Sequence, residues 1–331
     1  MRIALRAPNW LGDAVMALPA LAAFRRAFAG DDLAIVGPAP VLAMFQEEHD
    51  VARVETHDIA SLAAGNFDRV VLFTNSFGSA WAAKRAAIGD RWGYGGRGRG
   101  MLLTRAAKSP AKGERGHHVE FYRTLARRFD ATEGLGAQPR LAITPASRAL
   151  ASTALTRAGV DLSRPLAVFA PGAAYGHAKR WLPERVADVA ARLVRERGMA
   201  AVLTGAPGDR DAGRAIESWL RAHAPGEAGR VVNLIGAPGG VRSLLGLLGH
   251  ARLVVANDSG AAHIAAAMGV PTITIFGPTD ERATAPIGPG AALSHDVFCR
   301  PCMLRDCPID HRCMKRITAD IVYERASALI A

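Results

Sequence analysis

A carboxylate that directly follows a buried strand can act as a base in an α/β protein. Residues 2–7 form a strand-like run, and a loop containing Gly12 leads from it to Asp13, where a helical pattern starts. Aspartate is a favoured N-cap, and its charge complements the helix dipole. A carboxylate held there can still accept a proton from a hydroxyl. Asp13 is therefore predicted to be a helix cap, a general base, or both.

A second loop, residues 170–181, combines small residues with two adjacent cations. Small residues let backbone N–H groups approach phosphate oxygens, and Lys179 or Arg180 can neutralise those oxygens. The Gly-Lys-Ser/Thr ending of a Walker loop is absent. This loop alone indicates a phosphate site only moderately, because glycine-rich loops are common in α/β proteins.

Two further loops follow predicted strands in the second half of the chain. Residues 257–263 read NDSGAAH, and the first N–H groups of a helix beginning at Ser259 could hold a diphosphate. His263 lies one turn further on, where a satisfied, half-buried histidine is the plainer interpretation. Residues 276–280 either line the same diphosphate-binding site or form a Gly-Pro turn.

All four cysteines lie within one short segment, as Cys299, Cys302, Cys307 and Cys313. The first pair has the spacing of a zinc knuckle, and four thiolates could complete a tetrahedral structural site. The later spacings are irregular, so we favour reduced thiols in a packed loop and predict no metal. A catalytic metal is disfavoured further, because four protein ligands leave no open position.

Length and composition limit the class of protein. The chain has 331 residues, of which 50% are hydrophobic and 21% charged, and this excludes a disordered chain. At roughly 150 residues per domain, two domains are expected. Apolar runs fall short of the roughly 20 residues of a membrane span, and no secretory signal precedes the first strand. We therefore expect a cytoplasmic protein.

The charge balance calls for an anionic partner. There are 41 basic and 30 acidic residues, a net charge of +11. Nucleic acid, an anionic membrane surface and a phosphorylated small molecule all fit this charge. Aromatic residues are only 6%, which disfavours stacking on single-stranded nucleic acid. Residues 89–116, rich in Gly, Arg and Lys, are predicted to be a mobile cationic surface loop.

Strand-like and helical segments alternate in both halves, which predicts two doubly wound parallel sheets. Predicted strands are 2–7, 33–36, 69–73, 166–170, 199–204, 231–235, 253–256 and 272–276. Predicted helices run from Asp13 to Gly30, and over 119–129, 183–197, 211–222, 241–248, 261–268 and about 317–330. A hinge is expected at 145–165. Ligands of such sheets bind beyond the carboxyl ends of the strands, where the loops above lie.

One motif is predicted to be a false match to a dinucleotide-binding motif. Residues 93–98, GYGGRG, match the dinucleotide fingerprint by letters. Because we see no strand before them and no helical pattern after them, we predict that they do not bind a nicotinamide cofactor.

Four motifs in order, NWLGDAVM at 9–16, AYGHAKRW at 174–181, NDSGAAH at 257–263 and FGPT at 276–279, resemble those of the ADP-heptose:lipopolysaccharide heptosyltransferases. The opening motif and the cysteine-rich tail are most similar to heptosyltransferase II. The resemblance implies a GT-B fold, that is, two Rossmann-like domains facing a cleft. The expected domains are an acceptor-binding domain at 1–155 and an ADP-sugar donor-binding domain at 160–331, and the C-terminal helix could pack back across.

The resemblance also implies inverting transfer of heptose from ADP-heptose to the heptose/Kdo inner core of lipopolysaccharide, most specifically of the second heptose, with no cofactor required. Asp13 matches the catalytic aspartate, and Lys179 matches the lysine that contacts the donor phosphates. The implied donor-binding set is Gly172, Lys179, Asp209 (our choice for the ribose-binding acid), Asp258, Ser259, Gly260 and His263. The implied acceptor-binding set is Asn9, Trp10, Arg97 and Arg99.

The expected partners are ADP-heptose, a phosphorylated inner-core acceptor and, peripherally, the anionic cytoplasmic leaflet of the inner membrane, contacted through residues 97–115. Transfer to Kdo, as by heptosyltransferase I, stays open as an alternative. A basic protein that binds nucleic acid or nucleotide without transferase activity is a second, although no recognition motif supports it. A Rossmann oxidoreductase is a third alternative. In neither half of the chain, however, does the first strand carry the dinucleotide-binding fingerprint.

Overall fold

Short apolar segments alternate with helices and form two parallel sheets, one in each half of the chain. A computed structural model describes residues 1–45, 62–96, 98–111 and 116–331. The described chain divides into a first unit, Met1–Ala142, and a second unit, Ile143–Ala331. The α/β alternation predicted for both halves is confirmed.

The first unit is built on a five-stranded parallel sheet in the order β2-β1-β3-β4-β5. Its strands are β1 (Arg2–Arg6), β2 (Asp32–Val36), β3 (Arg69–Leu72), β4 (Asp90–Tyr94) and β5 (Arg105–Ala107). Its helices are α1 (Leu11–Ala27), α2 (Ala39–Phe45), α3 (Phe77–Arg85) and α4 (His118–Arg128). Because β1 lies between β2 and β3, its apolar residues Ile3 and Leu5 are fully buried. Helix α1 continues through Pro19, since burial of most of its length outweighs the cost of the proline.

The prediction of a mobile cationic loop at 89–116 is wrong for its described part. That part contains β4, a 3₁₀ helix at Arg99–Leu102 and β5. The guanidinium of Arg105 lies 4.7 Å from the Trp92 ring centroid, so an arginine that reads as solvated packs on an aromatic ring. Arg97 and residues 112–115 lie outside the described residues.

The dinucleotide-like sequence at 93–98 begins within a strand. Strand β4 supplies its first residues, although we expected no strand there. The next element along the chain is a four-residue 3₁₀ helix rather than an α-helix, so the geometry of a nucleotide-binding helix N-terminus is not formed.

The second unit has a six-stranded parallel sheet in the order β11-β10-β9-β6-β7-β8. Its strands are β6 (Leu166–Ala170), β7 (Ala200–Leu203), β8 (Val231–Asn233), β9 (Ala251–Asn257), β10 (Thr272–Phe276) and β11 (Gly290–Ser294). Its helices are α5 (Pro145–Arg157), α6 (Pro183–Arg197), α7 (Arg210–His223), α8 (Pro225–Ala228), α9 (Gly240–Leu248), α10 (Gly260–Ala267), α11 (Glu281–Thr284), α12 (Arg312–Lys315) and α13 (Ala319–Ile330).

Helix α6 has the bounds predicted from the sequence, because local signals fix both ends. Pro183 is its first residue, and Gly198 ends it in the left-handed conformation with φ of 64°. Helix α13 packs against α6 within the second unit, where Tyr323 Oη donates a 2.6 Å hydrogen bond to Glu196.

The expected hinge at 145–165 instead contains helix α5. This helix packs closely on α9: a Cβ added at Gly246 would lie 2.5 Å from Ala151 Cβ, and Arg148 donates to the carbonyl of Gly249 at 2.6 Å. Residues 145–157 therefore belong to the second unit. The division falls after Ala142, earlier than the boundary expected at 155–160.

Candidate functional site

The first group of predicted site residues follows β1. Helix α1 begins at Leu11, its N-cap is Trp10, and no side chain caps it. Asp13 is the third helical residue, so the interpretation of Asp13 as N-cap is wrong. Its carboxylate is 30% exposed, and Nδ1 of His118, the first residue of α4, lies 3.7 Å from it. The Asp13 carboxylate is thus open to a hydroxyl and has an imidazole beside it.

Neither His118 nor its neighbour Tyr122 is singled out by the sequence. Tyr122 is buried one helical turn beyond His118. Burial, and then the negative charge of Asp13, raise the pKa of the Tyr122 phenol well above its ordinary value, so Tyr122 stays neutral. The available signal is that His118 directly precedes the predicted helix at 119–129, which does not specify its contact with α1.

The loop between β1 and α1 is fastened by a buried arginine that the sequence does not reveal. Arg6 is 1% exposed and donates hydrogen bonds to Asn9 Oδ1 at 2.6 Å and to the carbonyl of Ala7. Burial lowers the pKa of its guanidinium to about 10. Of the two loop residues predicted to bind acceptor, Asn9 is held by Arg6, and Trp10 is 54% exposed.

Arg99, also predicted to bind acceptor, is buried rather than displayed on a loop. It donates a 2.8 Å hydrogen bond to the carbonyl of Thr74, just beyond β3. Burial lowers the pKa of the Arg99 guanidinium. Its Nε and one terminal nitrogen find no hydrogen-bond acceptor within the described ranges. Arg97, the other predicted arginine, lies outside those ranges.

In the second unit, three of the predicted loops meet at the carboxyl ends of β6, β9 and β10. Lys179 Nζ lies 2.5 Å from Asp258 Oδ2, and Thr279 Oγ1 donates to the same oxygen at 2.7 Å. The Lys179 side chain is 13% exposed and that of Asp258 is 6% exposed. Two residues predicted separately to bind the donor, Lys179 and Asp258, are therefore in contact, and the 276–280 loop adjoins them.

A missed residue, Asn257, ties the first two of these loops together. Its Oδ1 accepts from the backbone N–H of Trp181 at 3.1 Å, and its Nδ2 donates to the carbonyl of Pro171 at 2.6 Å. Asn257 is 2% exposed, so both bonds are shielded from water. It positions the loop that carries Lys179, a role that its place in the NDSG motif does not specify.

The start of α10 has the features of an anion site. Ser259 is its N-cap and makes no side-chain cap bond, and its buried Oγ lacks a hydrogen-bond partner among the residues described. The N–H groups of the first turn have no intrahelical acceptors. Gly260 is the first helical residue, and His263, 5% exposed, is buried in the same turn.

Asp209 and Gly172, two further residues of the predicted donor-binding set, lie in contact with each other. Asp209 Oδ1 accepts from Arg180 at 3.0 Å, and its Oδ2 accepts from the backbone N–H of Ala206 at 3.0 Å. A Cβ added at Gly172 would lie 2.1 Å from Asp209 Oδ2, so only glycine permits this approach. Both residues lie in the predicted region, and the ribose-binding role of Asp209 stays a prediction.

The cysteine-rich segment packs over the loop that carries Lys179. Tyr175 Oη donates to the carbonyl of Met303 at 2.7 Å, and the N–H of Ala178 donates to the carbonyl of Arg305 at 2.8 Å. His311 Nε2 lies 2.7 Å from the carbonyl oxygen of Ala178. The sequence does not indicate that this segment covers a predicted phosphate loop.

All four cysteines are free, with no disulfide between them. Among the described residues, which include all four, no group of three or more His, Cys, Asp or Glu side chains is arranged to hold a metal ion. Burial raises the pKa of the Cys313 thiol. Backbone hydrogen bonds and apolar packing hold the segment instead.

Within the described part of the chain, no helix combines the length and apolar character needed to cross a membrane.

Comparisons with known proteins agree with this arrangement. The sequence pattern of glycosyltransferase family 9 (heptosyltransferase) matches residues 58–312. Lipooligosaccharide heptosyltransferase 2 of Haemophilus ducreyi is 29% identical, with 88% of each chain covered.

Solved structures give the same result. E. coli ADP-heptose LPS heptosyltransferase II superposes with a TM-score of 0.81 at 25% identity, covering 100% of this chain and 98% of that one. E. coli heptosyltransferase WaaC with ADP-2-deoxy-2-fluoro heptose shares the fold, with a TM-score of 0.69 at 22% identity, and 98% of each chain is covered. The expected GT-B class, with two doubly wound domains, is confirmed. The chain belongs to glycosyltransferase family 9, the heptosyltransferases.

Proposed function

We propose that this protein is an inverting glycosyltransferase that moves L-glycero-D-manno-heptose from ADP-heptose to the phosphorylated inner core of lipopolysaccharide. Membership of the heptosyltransferase family supports the reaction class. The observation that carries the proposal is the convergence of Lys179, Asp258 and Thr279 beside the open start of α10. This arrangement offers a cation and free amides to a diphosphate, the leaving group of an ADP-sugar.

On the donor side, the diphosphate would lie against the first turn of α10 and the unpaired hydroxyl of Ser259. Lys179 is held by the Asp258 carboxylate, so its ammonium is fixed in place before the donor arrives. As the bond to heptose breaks, negative charge grows on the diphosphate, and Lys179 would stabilise it. These groups supply the stabilisation from the chain itself, so we propose that no metal or cofactor is required.

On the acceptor side, Asp13 would accept the proton of the attacking hydroxyl. Its carboxylate is partly exposed, at the carboxyl end of the first sheet, where ligands of parallel sheets bind. His118 lies close enough to orient the carboxylate. Asn9 and Trp10, in the loop between β1 and α1, would contact the acceptor, while buried Arg99 would hold the chain at Thr74.

Ligand binding separates this function from the two other classes. We expect ADP to raise the melting temperature of the full chain, because a ligand that binds only the folded state stabilises it. NAD and duplex DNA should leave it unchanged. Stabilisation by NAD would favour an oxidoreductase, and stabilisation by DNA alone would favour a nucleic-acid-binding protein.

The relatives named heptosyltransferase 2 support transfer of the second heptose. The test is a comparison of two acceptors, inner core carrying only Kdo and inner core already carrying one heptose. We expect turnover with the heptose-bearing acceptor. Turnover with the Kdo acceptor alone would assign the heptosyltransferase I reaction instead.

A cytoplasmic location at the inner membrane is the remaining part of the proposal. Helix α3 exposes Phe77 and Trp81 on one face, and Lys84 and Arg85 follow in its last turn. The 3₁₀ helix that packs against it exposes 83% of Met101. Aromatic rings beside cations suit the interface of an anionic leaflet, as does the net charge of +11.

Vesicle flotation tests this surface. The protein should bind vesicles containing anionic lipid more than purely zwitterionic ones, and the Trp81→Ser, Lys84→Ser double variant should bind less. Arg26→Ser, which removes an exposed cation elsewhere in the same unit, is the control. Equal binding by all three proteins would contradict the assignment of α3.

A further inference from the structure

A cavity of about 160 Å³ lies in the first unit between the end of β1 and the start of α3. The residues around it include Arg6, Asn9, Thr74, Ser76, Gly78 and Ser79. Five of the eight lining residues have polar side chains and none is acidic, while Leu62 and Ala82 contribute apolar surface. The lining therefore has a polar part, around Arg6, that could hold a charged group.

The guanidinium of Arg6 gives the cavity a buried positive charge. Its hydrogen-bond partners, Asn9 Oδ1 and the carbonyl of Ala7, are both neutral. Within the described ranges no carboxylate pairs with it, and burial alone lowers its pKa. Burying a charge without an opposite charge is costly, because neutral dipoles replace only part of its hydration. An anion entering the cavity would offset this cost.

Two further polar residues, Thr74 and Ser76, line the same cavity. Thr74 is 9% exposed, and its buried hydroxyl has no hydrogen-bond partner in the described part of the chain. Ser76 is the N-cap of the nine-residue helix α3, and its Oγ accepts from the N–H of Ser79 at 3.1 Å. The remaining first-turn N–H groups of α3 have no intrahelical acceptor, and the helix dipole there favours negative charge.

We propose that this cavity binds one anionic oxygen group of the acceptor, either a carboxylate or a phosphate. Arg6 would supply a charge-assisted hydrogen bond, Thr74 a hydroxyl and α3 its first amides. The inference rests on the proposed function, because that function supplies an acceptor carrying such groups. It adds Arg6 and Thr74 to the predicted acceptor-binding residues, of which Asn9 also lines this cavity.

The test titrates the full chain, saturated with ADP, with inorganic phosphate and separately with acetate, by calorimetry. ADP is present because phosphate could otherwise bind at the donor site. We expect saturable binding of at least one anion. Binding of phosphate alone indicates a phosphate substituent, and binding of acetate indicates a carboxylate.

Arg6→Met should weaken that binding by at least about tenfold, because a hydrogen bond to a charged group is lost. Thr74→Val, which keeps the side-chain shape, should weaken it by about threefold and leave folding intact. Arg26→Met is the control for net charge. Equal loss in Arg6→Met and Arg26→Met, or no binding of either anion by the wild-type protein, would overturn the proposal.

If Arg6→Met fails to fold, the anion affinity of Thr74→Val tests the proposed site. An unchanged anion affinity in Thr74→Val would then overturn the proposed site. Failure of ADP to bind would instead contradict the proposed function, so the two failures are distinguishable.

Discussion

Asp13 and Lys179 occupy environments that suit different steps of a transfer reaction. Asp13 is partly exposed and has the imidazole of His118 beside it, so it can exchange a proton with a bound hydroxyl. Lys179 is mostly buried and fixed by Asp258, so it provides a positioned charge rather than a mobile one. Preorganised charge stabilises a leaving group without reorganisation at the moment of reaction.

Lys179→Ala should weaken donor binding and slow turnover by about 100-fold, since the charge facing the diphosphate is lost. The same change leaves the buried Asp258 carboxylate without its cation and should destabilise the second unit by about 3 kcal/mol. Donor affinity is measured by calorimetry with ADP, and stability by urea unfolding.

A double variant separates these two effects. In Lys179→Ala, Asp258→Asn the uncompensated charge is gone, so stability should largely return while ADP affinity stays low. Recovery of ADP affinity together with stability would show that Lys179 acts only through the fold.

The edge of the first sheet depends on a carboxylate at the start of β4. Burial raises the pKa of Asp90, but hydrogen bonds from Thr104, Arg69 and Trp92 outweigh that effect and lower it below its ordinary value of 3.8. A group with a depressed folded-state pKa stabilises the fold above its unfolded pKa, and this contribution is lost as pH falls. Asp90 therefore contributes stability at neutral pH that disappears below about pH 4.

Asp90→Asn should accordingly destabilise the first unit at pH 7 by about 1 kcal/mol, and the difference from wild type should shrink at pH 3. Urea unfolding at both pH values measures this. Asp211→Asn, at an exposed position of α7, is the control and should show little change at either pH. A difference that grows on acidification would refute the role given to Asp90.

The metal content of the protein tests the prediction that the cysteine-rich segment binds no metal. Protein purified under reducing conditions should contain less than about a tenth of an equivalent of zinc or iron, since a structural site would retain its metal. A chelator should leave the melting temperature unchanged. Stoichiometric metal, with destabilisation on chelation, would show that the four thiols gather around an ion.

At the scale of the whole molecule, local signals predict much of the architecture. Helix α6 is predicted from end to end, because Pro183 and Gly198 specify its limits by their own backbone preferences. Strand β4 is missed, because a segment rich in glycine and arginine lacks the apolar alternation of a strand. Its order comes from contacts such as that of Arg105 with Trp92, which join residues distant in sequence.

Some residues of the candidate sites can likewise be predicted from the sequence, and others cannot. Lys179 is predictable from the residues, since a cation in a loop of small residues after a buried strand suits a phosphate, whereas Asp258 is predicted only through the family resemblance. Arg6, His118 and Asn257 are not predictable, because each acquires its role from a contact that no local sequence pattern specifies. An arginine at the end of a strand reads as solvated until the cavity beside it is known.

The proposed reaction requires that this chain transfer heptose with Asp13 as the base. The direct measurement is the rate of heptose transfer from ADP-heptose to a heptose-bearing inner-core acceptor, by wild type, Asp13→Asn and the control Asp130→Asn, together with their ADP affinities. Wild type and Asp130→Asn should transfer alike, and Asp13→Asn should be about 100- to 10,000-fold slower with unchanged ADP affinity, since an amide cannot take the proton. No transfer by wild type, or near-wild-type transfer by Asp13→Asn, would contradict the account.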